Sequence, residues 1–426
     1  MISKTGRLAG IFTASVASLA LTIPWAAADG IGNALHDDPN YEPWVKARNV
    51  VRLAGTDRIQ TAIATAESRK WSCNVIIATD KDFPDSLVAG PLADVLNAPI
   101  LLNPQSSLHP DVATEISRLS TAGHCQGVKW REHVVRGMDY GNGLEPVLSR
   151  FSWDRGPGTE RWDSAPWIGI KVWIVGGTGS ISEGVQNAIA SLPIYPSNAV
   201  GQEHISRQWG SDRFNTAIEI GKTYANIYKL NDGDGTKRAD LNVFLTDGTN
   251  WPDALVAGTA AAQDQGFLLL SNGPTQDERT QNFIDTFANT GNAAPWAAAA
   301  NVSEIVAVGG NAAKAYPDAD KSFVGDDRYE TASKLATAYF PASLANTENN
   351  TVGIVSGENW ADGVVAGGYM ANADGPLLLT EPGSLNAFTK GYLESHRMWM
   401  DYAFIFGGVY SVSPSVADAV ADALFV

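Results

Sequence analysis

The sequence predicts an α/β protein in which one module is used three times, each module a small parallel sheet flanked by helices. Two observations predict this architecture. Four short motifs recur in the same order along most of the 426-residue chain. Short apolar runs such as "VIIA", "ILL" and "VWIV" alternate with segments of helical periodicity, which is typical of parallel strands buried on both faces. The repeats are expected to span residues 49–203, 204–320 and 321–426.

The first motif opens each repeat as "GTDRIQTA" (55–62), "GSDRFNTA" (210–217) and "GDDRYETA" (325–332). Apolar residues at helical spacing follow it, so its acid is expected to cap a helix or lie in the first turn. The arginine next to that acid stands at the unfavourable end of the helix dipole and needs another partner. A carboxylate on the next repeat and an anionic group of a ligand both fit a guanidinium, and one arginine could serve both. The acids are Asp57, Asp212 and Asp327, and the arginines are Arg58, Arg213 and Arg328.

The second motif follows a predicted strand, at the edge of the sheet where open α/β proteins usually bind ligands. It reads "DKDFPDSLVAG", "DGTNWPDALVAG" and "GENWADGVVAG". The aromatic residue could stack on a sugar or fill the core, and the aspartate could cap the next helix or contribute to a ligand site. We expect the "AG" pair to let helix and sheet approach closely. The candidate ligand-binding residues are Phe83, Trp251, Trp360, Asn250, Asn359, Asp85, Asp253 and Asp362, besides the three arginines.

The third and fourth motifs indicate two more strands. "PILLN", "FLLLS" and "PLLLT" are short apolar runs, and "VWIVGG", "IVAVGG" and "FIFGG" each end in a diglycine. The diglycines are predicted to make tight turns, because the third glycine of a nucleotide-binding fingerprint is missing.

Repeat 1 carries an insertion at about residues 121–169 that the other repeats lack. It contains Trp130, Trp153, Trp162 and Trp167. A segment of this length either packs over the sheet or contacts a protein partner. The two cysteines, Cys73 and Cys125, are candidates for a structural disulfide if the chain is exported.

The amino terminus predicts export. Residues 1–28 combine Lys4 and Arg7, an apolar run and a small-residue cleavage site after Ala28, as a secretory signal peptide does, and residues 29–48 form an N-terminal extension. Neither a covalent nor a lipid anchor is expected. Removing the signal changes the net charge from −16 to −18. Such a charge disfavours nucleic acid and anionic membranes as partners.

Signs of catalysis are missing from the sequence. The six histidines are scattered, none recurs between repeats, and no metalloprotease, nucleophile-elbow or phosphate-loop motif occurs. We therefore expect no catalytic residues, no metal and no cofactor.

The four motifs together resemble the cell wall-binding repeat type 2 family of Gram-positive surface proteins, over about residues 49–426. The resemblance implies three compact modules arranged as a pseudo-threefold trimer. It also implies secretion and non-covalent attachment to the cell wall through an anionic polysaccharide. Two alternatives remain open: a carbohydrate-acting enzyme that uses the insertion, and a surface adhesin or assembly protein.

Overall fold

The computed structural model describes residues 49–68, 72–120, 126–128, 167–168, 170–193, 200–231, 239–289, 300–342 and 351–425. Within them lie three four-stranded parallel sheets, each flanked by helices. The predicted fold class is confirmed. The predicted insertion, about residues 121–169, lies outside the described residues except for two short strands.

The elements follow the repeats. The first repeat contains β1 (Asn49–Leu53), α1 (Arg58–Glu67), β2 (Asn74–Thr79), a 3₁₀ turn (Ser86–Val88), α2 (Ala89–Leu96), β3 (Ile100–Asn103), α3 (Pro110–Leu119), β4 (Gln126–Val128), β5 (Trp167–Ile168), β6 (Lys171–Val175) and α4 (Glu183–Ala190). The second contains a 3₁₀ turn (Gln202–His204), β7 (Ile205–Gln208), α5 (Arg213–Asn231), β8 (Ala239–Asp247), α6 (Pro252–Gln263), β9 (Gly266–Ser271), α7 (Glu278–Asn289), β10 (Ala300–Val308) and α8 (Gly310–Ala315). The third contains β11 (Lys321–Phe323), α9 (Arg328–Tyr339), β12 (Thr351–Ser356), α10 (Trp360–Asn372), β13 (Leu377–Thr380), α11 (Ala387–His396), β14 (Tyr402–Phe406) and α12 (Pro414–Phe425).

Each sheet takes its fourth strand from the following repeat. The orders are β3-β2-β6-β7, β9-β8-β10-β11 and β13-β12-β14-β1. Strand β7 of repeat 2 therefore completes the first sheet, and β11 of repeat 3 completes the second. Strand β1 pairs with β14, so the start of repeat 1 completes the third sheet. The three modules consequently form a closed pseudo-threefold ring instead of an open row.

Helices α2, α6 and α10 pack against one another at the centre of this ring. Their close approach depends on the small residues of the second motif. A Cβ added to Gly90 in α2 would lie 3.4 Å from the Cα of Gly258 in α6, and one at Gly367 in α10 would lie 3.5 Å from the carbonyl oxygen of Leu255. We expected these glycines to bring helix and sheet together, but they mainly bring helices of different repeats together.

Cys73 precedes β2 and is bonded in a disulfide. Cys125, the other cysteine of the sequence, lies outside the described residues.

Candidate functional site

The aspartates of the first motif cap the helices that follow them. Oδ1 of Asp57 accepts a hydrogen bond from the backbone N–H of Gln60 at 2.9 Å. Asp212 accepts one from Asn215 at 3.0 Å, and Asp327 accepts one from Glu330 at 2.8 Å. The dipole of each helix favours an acid at this position.

The glycine and threonine of the same motif are joined in every repeat. The hydroxyl oxygens of Thr61, Thr216 and Thr331 accept hydrogen bonds from the N–H groups of Gly55, Gly210 and Gly325 at 3.1, 3.1 and 3.0 Å. A Cβ on Gly55 or Gly210 would collide with the side chain five residues later. The motif therefore holds the chain that precedes the helix against the first helical turn. The arginine lies along the chain between the capping aspartate and the threonine.

Each arginine is first held within its own repeat. Nη1 donates to a carbonyl oxygen in the loop after the next strand: Asp80 for Arg58, Gly248 for Arg213 and Gly357 for Arg328, at 2.6, 2.6 and 2.5 Å. This bond uses one of the five N–H donors of a guanidinium.

Each guanidinium also covers the aromatic ring of the preceding repeat. The distances from Cζ to the ring centroid are 5.9 Å for Arg213 over Phe83 and 5.4 Å for Arg328 over Trp251. Arg58 closes the cycle by lying 5.3 Å from the ring of Trp360 in repeat 3. Cation–π attraction therefore operates at all three interfaces between repeats. An ion pair with a carboxylate, one of the two alternatives left open by the sequence, is not formed by these arginines within the part of the chain that the structure describes.

The aspartates of the second motif do not cap helices, so that interpretation is wrong. In repeat 3 the N-cap of α10 is Asn359, whose Oδ1 accepts from the N–H of Ala361 at 3.2 Å. In repeat 2 the N-cap is Trp251, and Asp253 lies in the first turn of α6 without a capping bond. Asp85 precedes a 3₁₀ turn and makes no capping bond with its side chain.

Two of these carboxylates instead bind a serine in the loop after the diglycine. Oδ2 of Asp85 accepts from the hydroxyl of Ser180 at 2.6 Å, and Oδ2 of Asp362 accepts from Ser411 at 2.9 Å. Burial raises the pKa of Asp362, while Ser411 and the charge of Arg58 oppose the rise. The serines recur four residues after the first glycine, a signal that our sequence reasoning missed.

The diglycines are tight turns built around these aspartates. Gly176, Gly309 and Gly407 have φ of +100°, +88° and +98°, which favours glycine. A Cβ on Gly176 would lie 2.7 Å from Oδ2 of Asp85, and a Cβ on either of the other two would lie closer still to its aspartate. The second and fourth motifs therefore interlock.

Repeat 2 departs from this pattern at one position. Ala313 stands where the other repeats have serine, four residues after Gly309. Burial raises the pKa of Asp253 to about 6; the charge of Arg328 opposes the shift and that of Asp247 adds to it. The three sites are thus equivalent in backbone and different in carboxyl environment.

The asparagines of the second motif shape the loop. Oδ1 of Asn250 accepts from the N–H of Trp251 at 3.0 Å, and its side chain is exposed. In repeat 1, Asp82 takes the same place and accepts from Phe83 at 2.8 Å. Asn359 also donates to Asp362 at 3.1 Å.

Each of the three interfaces therefore assembles the same set of groups at the carboxyl ends of the strands. One repeat supplies the half-buried aromatic ring, the aspartate and the diglycine turn, and the next repeat supplies the arginine. A guanidinium with unused donors is suited to a carboxylate or phosphate group. Among the residues that the structure describes, no cluster of three or more histidine, cysteine or acidic side chains is arranged to hold a metal ion.

Comparison with known proteins agrees with the threefold repeat. The family model for Cell wall binding domain 2 (CWB2) matches residues 52–186, 207–316 and 323–417. The chain is 22% identical over 385 residues to the N-acetylmuramoyl-L-alanine amidase LytC of Bacillus subtilis (strain 168), which covers 89% of this chain and 59% of that protein.

Two solved structures share the fold. Cwp6 from Clostridium difficile has a TM-score of 0.62 and 20% identity, over 89% of this chain and 48% of that one. Cwp8 from the same organism has a TM-score of 0.61 and 16% identity, over 94% of this chain and 55% of that one. The chain thus spans less than two thirds of the length of each of these three relatives.

Proposed function

The chain belongs to the Cell wall binding domain 2 family, and from that premise we propose that it attaches non-covalently to the bacterial cell wall by binding an anionic wall polysaccharide. Residues 1–28 direct export, and the three repeats hold the secreted chain at the cell surface. The role is one of binding, without catalysis. Among the described helices, none is both long and apolar enough to cross a bilayer.

One observation carries this function above all: the arginine of one repeat lies over the aromatic ring of another repeat at all three interfaces. A threefold site fits a ligand that is itself repetitive. Three modest sites on one rigid body hold a polymer far more tightly than one, because the second and third contacts are intramolecular.

The negative charge of the proposed ligand limits how this acidic chain can bind it. The chain without residues 1–28 carries a net charge of −18 and repels a polyanion at long range. Binding must therefore come from local contacts, and the three guanidinium groups are placed to provide them. Their unused N–H donors pair with the anionic groups, while the polar loop residues contact the sugar.

The first experiment measures sedimentation of the chain from residue 29 to 426 with bare Gram-positive cell walls. Parallel walls are stripped of anionic glycopolymer with acid, and each is tested with and without divalent cations. We expect binding to intact walls and its loss on stripping. Equal binding to both, or to neither, would contradict the proposed ligand.

A second experiment tests the arginines. The triple variant Arg58→Gln, Arg213→Gln and Arg328→Gln keeps a polar side chain and removes three positive charges. We expect wall binding to fall at least about tenfold, because each lost charge-assisted bond is worth about 1.5–3 kcal/mol. Circular dichroism and thermal unfolding show whether the fold survives, since each arginine also joins two repeats.

The matched control removes three charges elsewhere, by Lys222→Gln, Lys321→Gln and Lys390→Gln. These lysines pair with Glu219, Glu304 and Glu394, and not with the aromatic ring or aspartate of the candidate site. The control should bind walls as the parent does. A folded arginine variant with unchanged binding would show that the arginines serve only to join the repeats.

A further inference from the structure

The exposed large hydrophobic side chains of this protein are not scattered. Among the described residues they are Trp209, Val324, Phe388, Met398, Val409 and Tyr410. Four of the six lie beside the diglycine turns: Trp209 and Val324 directly follow the strands that pair there, and Val409 and Tyr410 lie in the third turn itself. These side chains recur beside the same kind of turn at three separate interfaces, where a polymer that contacts each interface would meet them.

The aromatic residues of the second motif are poor platforms for a sugar. Phe83, Trp251 and Trp360 are only partly exposed, and each has a guanidinium over its ring. Phe83 and Trp360 also meet edge to face with their centroids 6.3 Å apart. These rings join the repeats, so a ligand ring needs another surface.

Trp209 offers such a surface at the first interface. It is 55% exposed and lies four residues before Arg213. A Cβ on Gly177 would lie 3.7 Å from Cε3 of its indole, so the ring borders the turn that encloses the carboxylate of Asp85. One short segment of repeat 2 thus contributes both the indole beside the turn and the guanidinium over Phe83.

Tyr410 provides the counterpart at the third interface. It is 96% exposed at the tip of the turn from Gly408 to Ser411, which is closed by the bond from the N–H of Ser411 to the carbonyl oxygen of Gly408 at 2.9 Å. The position equivalent to Trp209 in repeat 1 is Ala54, four residues before Arg58. At the third interface, the position four residues before the arginine is the small residue Ala54, and the diglycine turn carries the aromatic Tyr410. At the first interface, the position four residues before the arginine is itself aromatic, Trp209.

Building on the proposed attachment to an anionic polysaccharide, we propose that Trp209 and Tyr410 are its sugar-stacking residues. The apolar face of a pyranose ring lies against the exposed aromatic ring, and the anionic substituent of that sugar or its neighbour pairs with the arginine of the same interface. The second interface has Val324 in the corresponding place and contributes less stacking.

The test compares a double variant with a control variant in the wall-sedimentation assay and in titration with purified anionic glycopolymer. Trp209→Ala with Tyr410→Ala should weaken binding about five- to tenfold or more, the range expected for two lost aromatic contacts. Met398→Ala is the control, because it removes an exposed hydrophobic side chain that precedes β14 and so lies at the end of the strand opposite the turn. It should bind as the parent does.

A conservative variant distinguishes aromatic stacking from nonspecific hydrophobic binding. Trp209→Phe keeps an aromatic face and should keep most of the affinity, yet it should lose part of the change in tryptophan fluorescence that the polymer causes in the parent chain. If the Trp209/Tyr410 double variant binds like the parent while acid-stripped walls still fail to bind, the stacking role is wrong and the attachment stands. If the parent itself fails to bind walls, both proposals fall.

Discussion

Asp253 shows how one side chain sets its repeat apart. Asp253 is half-buried beside Gly309, and Ala313 stands where its counterparts have a serine hydroxyl. Its pKa of about 6 lies above the ordinary value of 3.8. The folded chain therefore gains stability from the protonated form, a gain complete below about pH 4 and lost as the pH rises through about 6.

The variant Asp253→Asn should consequently be more stable than the parent at pH 7.5, by on the order of 1–2 kcal/mol, and nearly equal to it at pH 4. Denaturant unfolding at the two pH values measures this. Ala313→Ser should lower the pKa of Asp253 by supplying the missing donor and should flatten the pH dependence. A less stable Asp253→Asn at pH 7.5 would show that the charged carboxylate is a net benefit.

At the scale of the element, the diglycine turn depends on its first glycine much more than on its second. Gly309 has positive φ and no room for a Cβ next to Asp253, whereas a Cβ on Gly310 would meet the side chain of Val324 at an ordinary 3.7 Å. The same asymmetry exists at Gly176 and Gly177.

Gly309→Ala should therefore lower the free energy of unfolding by about 2–4 kcal/mol, and Gly310→Ala by less than about 1 kcal/mol. Chemical denaturation of both variants provides the comparison. Equal losses would mean that the turn relaxes around the added methyl group.

The elements that the sequence predicted well are those whose signal is local. The strand in "VIIA" and the helix after Asp57 follow from hydrophobic period and capping chemistry within a few residues. The role of Asp85 could not be predicted in this way. Its partner Ser180 is 95 residues away, and the preference of aspartate for helix starts suggested a cap instead.

The same limit applies to the candidate site. Repetition identified Arg58, Arg213 and Arg328 as residues of interest, but not that each one reaches the ring of another repeat. Neither Trp209 nor Tyr410 has an aromatic counterpart at the same position of another repeat, so only their exposure in the fold draws attention to them. The ligand roles of the residues chosen from sequence remain predictions.

At the scale of the whole molecule, β1 closes the ring of three repeats. It pairs with β14 from Asn49 opposite Tyr402 to Leu53 opposite Phe406, and Nη1 of Arg52 donates to the carbonyl oxygen of Gly407 at 2.8 Å. Without it, one edge of β14 loses its neighbour and the interface holding Arg58 and Trp360 loses its support.

A chain that begins at residue 54 should accordingly unfold in two steps, with the third repeat melting first, whereas a chain that begins at residue 49 should unfold in one. Differential scanning calorimetry distinguishes the two. A single transition in the shorter chain, at an unchanged temperature, would show that the ring does not need its closing strand.

The pairing of β1 with β14 also decides where tension enters the molecule. A pull between residue 49 and residue 425 acts on one sheet, because β1 pairs with β14 in the third sheet and α12 directly follows β14 along the chain. The first two sheets then carry no load until the parallel strands β1 and β14 slide apart. Tension between the two ends of the repeat region would thus be resisted by a single pair of strands, while the other two interfaces between repeats remain undeformed.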